Sequence, residues 1–110
     1  MSKIADATFH GVSENSYSFE VYPFDQEFRQ VGAVYIVTKR TLKSDGGGSH
    51  SFIYIGQTGN LPQRFDSHHK ANCFTRHKAN CICVHVESDE DTRFAIETDL
   101  CRRHITPCNG

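Results

Sequence analysis

Two apolar runs lie close together in the chain, and each carries a tyrosine. Val31–Val37 is almost wholly apolar and rich in β-branched residues, which is typical of a strand covered on both faces. Phe52–Gly56 resumes this apolar, aromatic pattern. The connecting segment Thr38–Ser51 is polar and contains Gly46-Gly47-Gly48, so we expect a flexible excursion with no core of its own. The two runs therefore predict neighbouring strands of a small sheet.

Helix-start signals follow the second run at once. Asn60 suits an N-cap and Pro62 suits the first helical turn, which predicts a helix running to about Lys70. Arg64 and His68 are four residues apart, so we expect both on one face of this helix.

Further elements are predicted on either side of this core. Alternation in Tyr17–Tyr22 indicates a half-buried strand, whereas the polar stretch before Ser16 is expected to be partly loose. Ile82–Glu87 alternates in the same way and predicts another strand. Ser88 and the acids after it predict an N-cap and first turn, with Arg93–His104 continuing as the final helix.

Glu97 is the unusual residue of that final helix. Its neighbours three and four positions away are mostly apolar, so the pattern sets a carboxylate into an apolar stripe. A buried carboxylate is costly unless it is paired, hydrogen-bonded or bound to a metal ion. Alternatively, Glu97 tilts towards solvent or pairs with Arg93 or Arg102.

Length and composition predict one ordinary globular domain. The chain has 110 residues, and no apolar stretch approaches the roughly 20 residues that span a bilayer. Asp6 prevents the first residues from forming the long apolar segment of a secretory signal, so such a signal is not supported. We therefore expect a cytoplasmic protein without a membrane partner.

The five cysteines are expected to be reduced, buried thiols, since an odd number without a signal peptide argues against a disulfide framework. Cys81 and Cys83 are two residues apart on a predicted strand, near the distance limit for bridging.

A tetrahedral zinc site made of Cys73, His77, Cys81 and Cys83 has suitable residue types. Its spacing does not match the common paired-ligand patterns, so zinc is expected to be absent.

Basic residues concentrate between residues 60 and 80 although the net charge is −1. Such a cluster is either an ordinary solvated face or a phosphate-facing surface. The candidates for nucleic-acid binding are Arg64, His69, Lys70, Arg76 and Lys78.

Together these residues resemble the GIY-YIG nuclease superfamily. Tyr54-Ile55-Gly56 matches the family signature as it stands, and Gln57–Leu61 followed by Arg64 is similar to its usual continuation. Ala33-Val34-Tyr35 departs from Gly-Ile-Tyr but keeps the tyrosine. The resemblance covers about Val31–Asn109.

The resemblance implies an α+β fold with a small three-stranded antiparallel sheet flanked by helices. Residues 1–30 would be an extension packed on the domain that could add a strand, and residues 31–110 would form the nuclease domain. The segment Thr38–Ser51 is longer than is usual between the two signature strands. It would contact substrate or be disordered.

The resemblance also implies roles for individual residues. Tyr35 would be the general base, with Tyr54 hydrogen-bonding in the same site; Arg64 would clamp phosphoryl charge, and His68 would assist proton movement or bind phosphate. Glu97 would hold one divalent ion, Mg²⁺ or Mn²⁺, because its ligand is hard oxygen. The supporting residues would be Gly56 and Asn109. Taken singly, each of these residues also has an ordinary structural explanation.

The expected function is metal-dependent endonucleolytic cleavage of DNA. A short domain without an appended recognition module has limited surface for reading a long sequence, which favours recognition of DNA structure or damage. The alternative is a non-catalytic or partner-dependent nucleic-acid-binding module on the same fold. Both DNA and RNA, and both a monomer and a homodimer, stay open.

Overall fold

One antiparallel sheet with helices against both faces forms the core of the protein. The computed structural model describes residues 3–66 and 68–109. The strands are β1 (Ala5–His10), β2 (Ser16–Pro23), β3 (Ala33–Leu42), β4 (Gly48–Thr58) and β5 (Cys81–Val86). The helices are α1 (Leu61–Asp66), α2 (Ala71–Arg76) and α3 (Glu90–Arg103). The strand order is β1-β2-β5-β3-β4.

The apolar run of β3 is the centre of the core. Ala33 to Val37 are fully buried, because alternate side chains point to opposite faces and both faces are covered. Tyr35 and Val37 pack with Leu61 and Phe74 from α1 and α2, on what we call the tyrosine face. Val34 and Ile36 belong to the cluster on the other face, the α3 face, which the helix residues Ile96 and Leu100 complete. The prediction of a strand covered on both faces is confirmed.

The sheet has five strands, so the prediction of three was wrong. The three expected strands are present as β5-β3-β4, and the amino-terminal residues add β1 and β2 beside β5. The stretch before Ser16 was expected to be partly loose, yet β1 pairs with β2 from Ala5↔Val21 to His10↔Ser16. Its inward side chains are Ala5, Ala7 and Phe9. Two of these three are alanines, which give only a weak alternation signal.

The polar segment Thr38–Ser51 is mostly paired strand and was wrongly predicted as a flexible excursion. β3 and β4 continue through it as a hairpin arm, from Thr38↔Phe52 to Leu42↔Gly48. Main-chain hydrogen bonds between strands do not require an apolar face, so polar residues can extend a hairpin that starts in the core. Gly46 has φ +90° in the turn, a conformation that favours glycine.

The helix expected from Asn60 to Lys70 is shorter than predicted, and a separate short helix follows it. α1 ends at Asp66, and α2 begins at Ala71 after a turn in which the Ala71 amide donates to the His68 carbonyl (3.0 Å). Arg64 and His68 therefore do not share a helical face. α3 matches its prediction closely, with Asp89 in place of Ser88 as the N-cap, its carboxylate accepting from the Thr92 amide at 2.8 Å.

A disulfide joins Cys73 of α2 to Cys108 near the carboxyl terminus, so the prediction of five reduced thiols was wrong. The two cysteines are 35 residues apart, and their proximity depends on tertiary folding that spacing cannot reveal. Cys81 and Cys83 are buried and unpaired, as expected, and Cys101 is free and exposed. Within the described residues, no helix combines the length and apolar character needed to cross a membrane.

Candidate active site

The buried hydroxyl of Tyr35 is the meeting point of three functional candidates. The ring lies in the middle of β3 and is fully enclosed. The Tyr35 oxygen lies 2.8 Å from Nε2 of His68. The Arg64 side chain donates from Nε to the same oxygen at 3.2 Å. Residues separated by about thirty positions therefore converge on one phenol.

The main chain fixes which nitrogen of His68 carries the hydrogen. The Lys70 amide donates to His68 Nδ1 at 3.1 Å, so Nδ1 is an acceptor. Burial is the largest cause that lowers the pKa of His68, to about 4, and the positive charges of Arg64, His69 and Lys70 lower it further. The ring is therefore neutral at pH 7 with its hydrogen on Nε2, and Nε2 donates to Tyr35.

The oxygen of Tyr35 thus accepts two hydrogen bonds, one from an imidazole and one from a guanidinium. Burial nevertheless raises the pKa of Tyr35 well above its ordinary value of 10, and the Arg64 hydrogen bond only partly opposes this effect. The phenol is neutral in the free protein at pH 7. Its two donors are placed to stabilise negative charge on the oxygen once the proton leaves.

The strand register sets Tyr54 beside Tyr35 and leaves room for both rings. Tyr35 pairs with Gly56, and Val37 pairs with Tyr54, so the two tyrosines lie diagonally on one face. Their rings stack with centroids 6.0 Å apart. A Cβ at Gly56 would lie 2.6 Å from the Tyr35 hydroxyl and 2.8 Å from a Tyr54 ring carbon. Only glycine at position 56 fits this arrangement without displacing the rings.

Aromatic side chains from the two short helices pack around Tyr35 and His68. Phe65 of α1 packs edge-on against Tyr35 at 4.9 Å between ring centroids. Phe74 of α2 lies 4.7 Å from the His68 ring. The exposed His69 stacks on His68 at 4.9 Å, with the rings 11° from parallel. The helices thus supply the low-dielectric surroundings that keep His68 neutral.

Glu97 lies half-buried on α3, next to the core residue Ile96. Burial raises the pKa of its carboxyl, and the charge of Arg64 acts in the opposite direction. α3 itself packs on the α3 face through Ile96 and Leu100. Within residues 3–66 and 68–109, no ion pair and no side-chain hydrogen bond engages this carboxylate.

The Glu97 carboxylate fits a hard divalent cation. The only enclosed, unpartnered side-chain polar atom of the described chain is on Gln26, so the Glu97 oxygens keep access to water. The carboxylate is half-buried, unpaired and accessible to water. Mg²⁺ is usually bound by one or two carboxylates and keeps several water ligands, so the two match. The same geometry suits Mn²⁺.

Arg93 does not pair with Glu97, contrary to one of the sequence alternatives. It is 6% exposed and donates to Gln57 Oε1 (3.0 Å) and to the carbonyls of Glu87 (3.0 Å) and Ser88 (2.9 Å). Arg93 therefore fixes the start of α3 to the end of β4. The sequence carries no sign of these partners, because two of the three acceptors are main-chain carbonyls.

Asn109 binds the strand that carries Tyr54 and Gly56. Its side-chain oxygen accepts from the Ile55 amide (2.8 Å), and its side-chain nitrogen donates to the Ile55 carbonyl (2.9 Å). Thr106 donates to the same side-chain oxygen. The Cys108 amide adds a bond to the Ile53 carbonyl at 3.0 Å. The carboxyl-terminal segment thus occupies the outer edge of β4 beside the site.

The remaining basic candidates lie at the surface. Lys70 is half-buried and contributes its amide to His68, whereas Arg76 and Lys78 are exposed at the end of α2 and after it. Over the described part of the chain, no side-chain hydrogen bond or ion pair engages Arg76 or Lys78. Both side chains are free for an external anion, and their contact with nucleic acid stays a prediction.

Comparison with known proteins points to the same family as the motifs. The family model of the GIY-YIG catalytic domain matches residues 31–105, more than half of the chain. This match confirms the resemblance drawn from the tripeptides. Searches of curated proteins and of solved structures gave no match.

Proposed function

We propose, since this chain belongs to the GIY-YIG family of nuclease catalytic domains, that it is a divalent-metal-dependent endonuclease that hydrolyses phosphodiester bonds in DNA. The observation that carries the proposal is the convergence of Arg64 and His68 on the buried Tyr35 hydroxyl. A core tyrosine needs one hydrogen-bond partner at most, and a guanidinium plus an imidazole exceed what packing requires.

Glu97 would hold the divalent ion, and the rest of the coordination would come from water and phosphate. When bound, such an ion neutralises charge on the phosphoryl oxygens and lowers the pKa of coordinated water. Mg²⁺ and Mn²⁺ are both compatible with a single carboxylate ligand.

Tyr35 would act as the general base in its phenolate form. The hydrogen bonds from Arg64 and His68 stabilise negative charge on its oxygen. Tyr54 stacks beside Tyr35 and supplies a second phenol to the same site.

Arg64 and His68 would have distinct tasks. Nε of Arg64 donates to Tyr35, so its terminal amino groups remain for the phosphate. His68 uses both ring nitrogens, one on the Lys70 amide and one on Tyr35. We therefore assign His68 to orienting Tyr35 and stabilising negative charge on its oxygen, and not to binding phosphate.

The substrate would be DNA recognised by structure or damage. The motif-matched region takes up most of the chain, and the lysines and arginines between residues 60 and 80 are few: Arg64, Lys70, Arg76 and Lys78. Such a surface contacts a limited number of phosphates and offers little for base reading.

The test uses Glu97→Gln with Glu90→Gln as its matched control, because Glu90 is exposed on the same helix. A second pair is Tyr35→Phe with Tyr22→Phe as its control, because the Tyr22 hydroxyl donates to the exposed Glu20. Duplex, branched and single-stranded DNA are incubated with Mg²⁺, Mn²⁺ or a chelator. We expect Glu97→Gln and Tyr35→Phe to slow cleavage by at least about 100-fold, with both controls unchanged.

Two results would overturn the proposal. Cleavage by Glu97→Gln at the wild-type rate would remove Glu97 from the metal site. DNA binding by the wild-type protein without cleavage, on every substrate and with either metal, would favour the non-catalytic binding module instead. Circular dichroism spectra of all variants establish that the fold is intact.

A further inference from the structure

A second group of metal-ligating side chains lies on the tyrosine face, at the outer edge of β4. The sulfur atoms of Cys73 and Cys108 and a ring nitrogen of His77 all lie within 4.8 Å of one another. None of the three has a role in the nuclease proposed above.

Two elements bring these side chains together. Cys73 and His77 are four residues apart, at the middle and the C-cap of α2, and the His77 amide donates to the Cys73 carbonyl at 3.1 Å. Residues with this spacing share one helical face. Cys108 comes from the carboxyl-terminal segment, where its amide is bound to Ile53 of β4. The group is thus fixed by a helix on one side and by the sheet edge on the other.

The donor set differs in kind from that of Glu97. Two sulfurs and an imidazole are ligands of zinc, whereas magnesium requires oxygen. Two thiolates would balance the charge of Zn²⁺, and three protein ligands leave the fourth tetrahedral position for water. His77 is exposed, so the ion could enter from solvent.

We propose that Cys73, His77 and Cys108 bind one Zn²⁺ ion when a dithiol reductant has opened the disulfide. The reductant transfers two electrons to the bridging sulfurs, giving two protein thiols and an oxidised, cyclic disulfide of the reductant. Zinc then displaces a proton from each thiol, and neutral His77 contributes a nitrogen lone pair. The disulfide and the zinc site are mutually exclusive states of the same residues.

This site is not the one considered in the sequence analysis on the basis of residue types. That set shared Cys73 and His77 but took Cys81 and Cys83 as its other ligands. Both of those cysteines are buried in the cluster on the α3 face, on the opposite side of the sheet from Cys73. Cys108, 35 residues from Cys73, takes their place.

Either state ties α2 to the segment that contains Asn109. The tie matters because Phe74 of α2 packs on His68, and Asn109 binds Ile55 beside Tyr54. A zinc ion would keep this link under reducing conditions, in which the disulfide is lost. The active-site walls would therefore stay connected in both redox states.

The experiment measures metal binding and thiol protection, so it does not depend on nuclease activity. Full-length protein is reduced with dithiothreitol, desalted without oxygen and titrated with Zn²⁺ or Co²⁺. We expect about one bound metal per reduced chain, a thiolate-to-cobalt charge-transfer band, and no binding by the oxidised protein. Zinc should protect Cys73 and Cys108 from alkylation, as read by peptide mass spectrometry, and leave the exposed Cys101 reactive.

His77→Gln and Cys108→Ser should each weaken zinc binding by more than about 100-fold, whereas Cys101→Ser should bind as the wild type does. His77→Gln retains the disulfide and so remains informative if Cys108→Ser fails to fold. The proposal is wrong if reduced wild-type protein holds no zinc, if His77→Gln binds as tightly as wild type, or if Cys101→Ser loses binding too.

Discussion

His68 is kept neutral by the residues that surround it. It is 7% exposed, and the nearby positive charges are Arg64, His69 and Lys70. Its folded pKa of about 4 lies below its ordinary value of 6.5. When the pH falls through this range, the unfolded chain takes up a proton that the folded protein does not accept. The stability that depends on neutral His68 is therefore fully present above pH 6.5 and is lost as the pH falls to about 4.

A histidine variant tests this linkage. In His68→Gln, the free energy of unfolding should depend less steeply on pH between 6.5 and 4, by at most about 1.4 kcal/mol per pH unit. Urea unfolding at several pH values measures the slope, which is independent of the stability lost with the Tyr35 hydrogen bond. His10→Gln, at an exposed position on β1, should keep the wild-type slope. Equal slopes in His68→Gln and wild type would refute the assignment.

At the residue scale, the candidate active-site residues could be predicted from the sequence, but not all of their contacts could. Tyr35, Tyr54 and Gly56 were accessible because their tripeptides carry a recognisable order. The pairing of Arg64 with His68 was predicted along a helix, whereas the structure joins them through Tyr35. Contacts to main-chain groups, such as that of the Lys70 amide, leave no trace in residue identities.

At the scale of elements, the outer edge of β4 is the feature that links architecture to the site. This strand lies at one end of the sheet, so its outward amides and carbonyls have no neighbouring strand. Asn109 satisfies both outward groups of Ile55, and Cys108 satisfies the carbonyl of Ile53. Tyr54 lies between Ile53 and Ile55, and Gly56 follows Ile55, so these bonds hold the part of β4 that carries both site residues.

Asn109→Ala should destabilise the protein by about 1–3 kcal/mol, because the two hydrogen bonds to Ile55 and the one from Thr106 are lost and an amide of β4 is left without its partner. Cleavage should fall as well, since the strand beside Tyr54 loosens. Urea unfolding of the oxidised protein and the DNA assay measure both effects. The control is Asn72→Ala, at an exposed position of α2. An unchanged unfolding midpoint in Asn109→Ala would contradict this role.

Element prediction succeeded where apolar periodicity was strong and failed where it was weak. β3, β5 and α3 had clear patterns and were found. The strand β1 was not predicted because its inward residues are mostly alanine. The hairpin arm was not predicted because main-chain pairing forms it without apolar side chains. The early end of α1 at Asp66 was also missed, because a helical pattern over Asn60–Lys70 does not encode the tertiary contact of His68 with Tyr35.

At the scale of the whole molecule, the first two strands are part of the core. Phe19 and Val21 of β2 are 1% and 0% exposed and pack in the same cluster as Ile96 and Leu100. Burying two such side chains contributes roughly 3–6 kcal/mol. This amount is comparable with the total stability of an ordinary domain, about 5–15 kcal/mol.

We therefore expect a variant beginning at Val31 to aggregate or to unfold without cooperativity. A variant beginning at Ser16 lacks β1 but keeps β2 and should fold with reduced stability. Calorimetry and size-exclusion chromatography of both variants measure the difference. Cooperative unfolding of the shorter variant at the wild-type temperature would show instead that residues 31–110 form an autonomous domain and that residues 1–30 are dispensable.

The donor that orients the His68 ring belongs to the peptide backbone at position 70. Every amino acid except proline would supply it, whatever its charge or bulk. A substitution of Lys70 can therefore change the charge near His68 while the imidazole tautomer is preserved. A proline there would free the ring to turn over and offer Tyr35 a bare lone pair.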